Sequence, residues 1–206
     1  MKLDILVIQF AKFPRLAQVK TRLRPLLKDE GCYQFHLELM IHCNKTLKAA
    51  GLFNILALDQ LGQHETVNVL AKSTPLILQE GADLGEKMKN AMAWGLGLAN
   101  KIIIIGSDCP VLTPQYFKEV QASLNENDHV FIPAEDGGYV LIAATQVFSN
   151  IYEKIDWGTE KVMEQTKLAL IAGNKKAAYL PPLWDIDRPE DYLRLMQEFP
   201  NWPSFK

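Results

Sequence analysis

The sequence has no apolar run approaching the roughly 20 residues that a membrane-spanning helix needs, which excludes a helical membrane span. Cysteine is scarce: Cys32, Cys43 and Cys109 make three, with no C-x-x-C pair. That excludes a disulfide framework and sets the expected location as the reducing cytoplasm. The residues from Met1 to Phe10 pass from one lysine straight into a strand-like segment with no small-residue cleavage site, so no export signal is read there. A field of one charge sign is also missing. With 22 basic and 24 acidic residues the net charge is −2, and a nucleic-acid partner held by a large basic surface is not expected. Internal repeats and low-complexity stretches are absent.

What is present is ample apolar material. At 48% hydrophobic residues over 206 positions, one core can bury about 70% of the unfolded surface, and a single domain over residues 1–206 follows. Leu3 to Phe10 is a nearly continuous apolar run, the pattern of a strand covered on both faces. A loop rich in Lys, Pro and Arg follows, then a helix over Asp29 to Ala50 closed by Gly51. Further strands are predicted over Phe53–Leu58, Leu76–Leu78, Ile102–Ile105, His129–Ala134, Tyr139–Ala144 and Ala177–Leu180. Helices are predicted over Glu65–Ala71, from Leu84 past Leu96, from Pro114, over Thr159–Ala172 and over Arg188–Phe199. Asp187 with Glu190 three residues on reads as a capping box for the last helix. Strands alternating with helices imply an α/β domain with a mostly parallel sheet, and Glu135-Asp136-Gly137-Gly138 implies a small antiparallel hairpin. In such sheets ligands bind beyond the carboxyl ends of the strands.

The polar residues in those loops suggest phosphate and metal chemistry. Lys12, Arg15, Lys20, Arg22 and Arg24, with Thr21 among them, follow the first strand and suit a polyphosphate; a solvated basic loop is the alternative. Asp108 lies three residues beyond four consecutive isoleucines, where its hard oxygen suits Mg²⁺ or serves as a turn cap. Asp185 and Asp187 fall on one side of an extended segment, and either supplies a second carboxylate unless Asp187 caps the helix. Asp136, beside Gly137 and Gly138, is a turn residue or an acceptor-activating carboxylate. Cys32, His36, His42 and Cys43 have helical spacing within one apolar stripe, and zinc is rejected for them. His64 and His129 read as structural. Trp202 and Phe205 pack on this chain or on a neighbour, so a homodimer stays open.

Six segments in order carry a resemblance: Phe10 to Pro14 with Val19 to Leu23, Gln79 to Met88, Gly106 to Pro110, Pro133 to Tyr139, Trp157 to Glu160, and Asp185 to Asp191. Together they resemble the bacterial DUF2064-type transferases, often labelled glycosyltransferases, within the nucleotide-diphospho-sugar transferase superfamily. The resemblance implies a Rossmann-like GT-A fold and a Mg²⁺- or Mn²⁺-dependent transferase acting on a nucleotide or nucleotide-sugar and a small-molecule acceptor. It implies Asp108 and Asp187 at the metal, Lys20 and Arg22 on the phosphates, and Asp83, Leu84 and Gly85 lining the nucleotide pocket, with Ser107 beside it. Ala17 and Ala143 stand where relatives carry glycine; a positive φ at Ala17 would strain the phosphate loop. Glycosyl transfer is put first, nucleotidyl transfer with pyrophosphate release second, and a nucleotide-binding regulator without turnover third.

Overall fold

A computed structural model describes residues 2–205. Its centre is a seven-stranded sheet. In chain order the strands are β1 (Leu3–Ala11), β2 (Asn54–Leu58), β3 (Leu76–Leu78), β4 (Ala99–Gly106), β5 (His129–Pro133), β6 (Tyr139–Ala144) and β7 (Ala177–Tyr179). Across the sheet they lie in the order β3-β2-β1-β4-β6-β5-β7. Only β6 runs against its neighbours, pairing antiparallel with β4 and β5. It makes the small antiparallel element expected from the Asp-Gly-Gly turn. The helices are α1 (Arg24–Ala49), α2 (Glu65–Ala71), α3 (Leu84–Leu98), α4 (Pro114–Ser123), α5 (Val162–Ala172) and α6 (Pro189–Glu198).

The two central strands show why the sequence runs were continuous. Leu6, Ile8 and Phe10 of β1 and Ile102 and Ile104 of β4 face the side covered by α3, with Met88, Ala91 and Met92. Val7, Ile103 and Ile105 face the opposite side, with Leu47 of α1 and Phe117 and Val120 of α4. Period-two alternation buries both faces, so no polar alternation survives to be read. α1 also packs Phe35 and Leu39 against Tyr192 and Leu195 of α6 and against Trp184 and Ile186 before it.

Two expectations about helix ends need correction. The start of α1 does not: residues 24–27 form a short preceding turn, Lys28 (φ 56°) breaks it, and the regular helix begins at Asp29 as expected. α5 starts at Val162, not Thr159. The Thr159 hydroxyl instead donates to the Asp156 carbonyl and accepts from Lys161 N–H, which holds the preceding residues in turns. Asp187 is not the cap of α6. Asp191 reaches back so that its Oδ2 accepts from the N–H groups of Asp187 (3.0 Å) and Arg188 (2.7 Å), the carboxylate half of a capping box moved on by one residue. That shift leaves the Asp187 carboxylate free for other work.

The chain winds outward from β1 to β2 and β3, then returns to place β4 on the other side of β1. The loops after β1 and β4 therefore diverge from adjacent parallel strands at a switch of winding direction, where an open α/β sheet forms its crevice. The third chemically rich stretch arrives differently. Beyond β7, Leu183 bridges Ala134 in parallel at the end of β5. From there the chain crosses the carboxyl edge of the sheet, and Ile186 N–H donates to the Asp108 carbonyl at 2.9 Å.

Candidate active site

At this switch point the basic loop, Asp108 and the Asp185–Asp187 stretch converge. Lys20 Nζ lies 2.8 Å from Asp108 Oδ1 and donates to the Ile186 carbonyl at 2.5 Å. Its side chain is only 7% exposed, whereas that of Asp108 keeps 45% of its surface open to solvent. Arg22 pairs with the Asp187 carboxylate. The backbone supports this placement: Lys20 sits at φ 49°, in the left-handed region, ahead of a single 3-10 turn over Thr21–Leu23. Ala17 also has a positive φ, 61°. The position expected to need glycine thus does adopt that conformation, and alanine holds it at a cost of about 1–2 kcal/mol.

Charge is unevenly satisfied. Burial alone would push the Asp108 carboxyl up, but Lys20, aided by His36 and Lys12, outweighs it and holds the group below the usual range. Asp185 goes the other way. Burial, then repulsion from Asp136 and Asp108, pushes it up to about 7, with Lys20 offsetting only part. Asp185 thus feels two other carboxylates beside the buried Lys20 ammonium, a repulsion that a hard divalent cation would relieve. Among the described residues no three His, Cys, Asp or Glu side chains form a ready metal cage. Mg²⁺ takes one or two carboxylates and fills its remaining positions with phosphate and water, so the donor set fits a metal that enters with its substrate.

Other expected residues divide. Lys12 acts electrostatically on both His36 and Asp108. Thr21 is exposed in the 3-10 turn. Ser107 is not at the ligand surface: it is buried, accepts from Gln9 Nε2 (3.0 Å) and donates to the Phe10 carbonyl (3.1 Å), tying β4 to β1. Asp83 caps α3, accepting from Glu86 N–H at 2.8 Å, and Leu84 is exposed beside it. Gly85 packs the helix start; a Cβ there would lie 2.4 Å from the Tyr152 carbonyl oxygen and 2.5 Å from Trp157 Nε1. Asp136 Oδ1 accepts from Gly138 N–H at 3.0 Å. Ala143 is buried in β6 opposite Ile103 and Val130, where a methyl group fits.

The histidines hold structure together. His64 accepts from Thr66 N–H as the cap of α2 and meets the Tyr33 hydroxyl at 2.5 Å, and His42 donates to the Pro110 carbonyl at 3.0 Å. His129 is buried without a partner at either ring nitrogen, and burial lowers it to about 4, so it stays neutral. The three cysteines are free and buried. Sequence reasoning missed Arg194 of α6, whose guanidinium lies 4.4 Å from the Trp184 ring centroid and binds Glu135 (2.9 Å) and Glu198 (2.7 Å). It fastens the residue beside Asp136 to the segment carrying Asp185. Only the i,i+4 spacing of Arg194 and Glu198 could have drawn attention to it.

Comparison with known proteins adds three findings. A family model described as "Uncharacterized protein conserved in bacteria (DUF2064)" matches residues 42–159, more than half of the chain. A 2-phospho-L-lactate guanylyltransferase from Methanobrevibacter smithii is 31% identical over 136 residues, covering 64% of this chain and 57% of the relative. Among solved structures, a protein from Desulfovibrio desulfuricans G20 assigned as a nucleotide-diphospho-sugar transferase superposes with a TM-score of 0.85 at 22% identity, over 98% of this chain and 91% of its own. A 4-diphosphocytidyl-2C-methyl-D-erythritol synthase from Anaerococcus prevotii gives 0.63 at 12% identity, over 96% of each chain. The shared fold is the nucleotide-diphospho-sugar transferase fold expected from the motifs. No helix among the described residues is long and apolar enough to cross a membrane.

Proposed function

The chain belongs to the DUF2064 family, and from that membership and the convergence at Asp108 we propose that it is a nucleotidyltransferase, joining the nucleotidyl group of a nucleoside triphosphate to a small acidic acceptor with release of pyrophosphate. The observation that carries this reading is the contact of Lys20, from the basic loop, with Asp108 and with the Asp185–Asp187 segment. That contact brings basic and acidic side chains to one point, and it supports reading the former as phosphate ligands and the latter as metal ligands. The choice over glycosyl transfer, put first from the sequence, is supported by the guanylyltransferase relative and by the density of cations beside β1. A triphosphate needs that density more than a diphospho-sugar does.

The chemistry follows from the groups present. Lys12, Lys20 and Arg22 draw the β- and γ-phosphates toward the loop, leaving the α-phosphorus toward Asp108. An acceptor oxygen attacks that phosphorus; a new P–O bond forms, the bond to the β-phosphate bridge breaks, and pyrophosphate leaves with the electron pair. Lys20, whose side chain is already buried, stabilises the developing charge. An acceptor phosphate attacks as an anion and needs no base, whereas a hydroxyl passes its proton to Asp136, one of whose oxygens is not used by the turn. Mg²⁺ or Mn²⁺ belongs to the same proposal: Asp108 with Asp185 or Asp187 would hold it, and it would neutralise charge on the triphosphate.

The test is incubation with Mg²⁺, a panel of nucleoside triphosphates and nucleotide sugars, and small acidic acceptors. Acceptor-dependent pyrophosphate release is expected with one triphosphate, lowered at least tenfold by Asp108→Asn. Acceptor-dependent release of a nucleoside diphosphate from a nucleotide sugar would return the assignment to glycosyl transfer. Tight nucleotide binding with neither product would make the chain a regulator.

A further inference from the structure

The four residues that lead from β1 into the basic loop are each held by a different part of the fold. Phe10 O accepts from Ser107, through N–H at 3.0 Å and the hydroxyl at 3.1 Å, at the end of β4. Ala11 O accepts from Gln79 Nε2 at 3.0 Å, and the same amide donates to Ala57 O at 2.8 Å, so one side chain beyond β3 fastens β1 and β2 together. Lys12 O accepts from His36 Nε2 of α1 at 2.9 Å. Phe13 N–H donates to Asp59 Oδ1, just past β2, at 2.6 Å.

Once the strand ladder ends, a loop normally turns its backbone to water. Here Ala11, the last residue of β1, and Lys12 and Phe13 just beyond it are instead satisfied by side chains that sequence inspection left without a role. Two further contacts seal the arrangement. The buried Phe13 ring lies under Gly62, where a Cβ would approach Phe13 Cζ to 2.8 Å, and Val19 and Leu23 bury the far end of the loop.

His36 is the deepest of the three anchors, at 3% exposure. A carbonyl only accepts, so the ring must carry its proton on Nε2 to make this bond. The groups around it are Lys12 and Lys20 from the loop and Asp108 from the end of β4, with burial the largest influence and favouring the neutral ring. Its loss would leave the Lys12 carbonyl without its side-chain partner.

We infer that Gln79, His36 and Asp59 are positioning residues for nucleotide binding: they act through the loop backbone to hold Lys12 and Lys20 in the phosphate-binding arrangement before substrate arrives. The inference rests on the phosphate-binding reading of that loop. A loop ordered in advance pays no ordering entropy on binding. Loosening it weakens ground state and transition state alike, so the effect falls on KM and not on kcat.

The experiment compares paired variants. His36→Leu and Asp59→Ala remove the bond, whereas His36→Gln keeps a donor amide and Asp59→Asn keeps an acceptor oxygen. Two readouts are taken: hydrogen–deuterium exchange of the segment 11–24, and KM for the preferred nucleoside triphosphate in pyrophosphate release. The expected result is faster exchange and a KM raised about tenfold for the first pair, in line with about 1–1.5 kcal/mol for one hydrogen bond, with the second pair within about threefold of the parent. Exchange unchanged in Asp59→Ala, an exposed position that tolerates truncation, overturns the inference, as does failure of both conservative variants to restore it. If the parent protein turns over no triphosphate, the nucleotidyltransfer reading fails, while the exchange comparison still decides the role of the anchors.

Discussion

Asp185 shows how a residue's neighbours in space set its chemistry. In the unfolded chain it ionises near the ordinary carboxylate value; in the fold it holds its proton to about 7 because it is buried beside Asp136 and Asp108. Between those two values the native state binds the extra proton, so stability falls as pH rises through the interval and stays lower above it. Asp185→Asn, which removes the charge and keeps the shape, is therefore expected to raise the melting temperature by a few degrees at pH 8 and to leave it nearly unchanged at pH 4, read by thermal unfolding without metal. A gain of equal size at both values would mean that the repulsion is absent. At this scale the sequence pointed to Asp108, two residues past the end of β4, and to Lys20, in the basic run that follows β1, and the fold brings the two together. Ser107 misled, since a polar residue between glycine and aspartate reads as a site residue and only the Gln9 contact turns it inward. Arg194 and Asp59 were invisible, because nothing local marks a side chain that reaches across the sequence.

Turns and helix ends decide how the site is mounted. Gly137 has φ 92°, and a Cβ there would lie 2.2 Å from the Glu160 carbonyl oxygen, so the Asp136 turn is clamped by the segment leading into α5. Met163 N–H donates to the Gly137 carbonyl at 2.8 Å and completes the clamp. Gly137→Ala faces both a backbone clash and a left-handed conformation, and is expected to cost about 2–4 kcal/mol, a drop of several degrees in thermal unfolding. An unchanged melting temperature would show that this clamp is not formed. The bounds read for α2, β3 and β6 agree with the fold, β6 because an apolar run follows the turn glycines Gly137 and Gly138. The start of α5 does not agree, because the hydroxyl of Thr159 competes with the helix for local hydrogen bonds. The capping box before α6 slipped by one residue because two acidic residues, Glu190 and Asp191, offered the same signal and geometry chose the second.

Over the whole molecule the alternation of strands and helices was enough for the α/β class and for a crevice at the carboxyl ends of the strands. Strand order was not readable, nor was the path by which residues 183–187 cross from β5 to Asp108. That crossing joins Ile186 to Asp108, far apart in the sequence, a relation no local pattern encodes. It also leaves two of the loop cations facing acids at the crevice: Lys20 on Asp108, and Arg22 on Asp187. On the proposed reading, a divalent ion alone would have to compete with an ammonium for Asp108, and a triphosphate alone would have to strip Lys20 and Arg22 from their carboxylates. Arriving together, each would release the other's partner, so we propose that the two ligands share a positive coupling free energy, which is by necessity reciprocal. Nucleotide affinity measured calorimetrically with Mg²⁺ should exceed that in EDTA at least tenfold, and the thermal shift from both should exceed the sum of the separate shifts. Simple additivity would mean that the paired charges part without cost. If the coupling holds, the protein discriminates by co-arrival: millimolar free magnesium leaves it unchanged, and only the metal–nucleotide complex opens the latch.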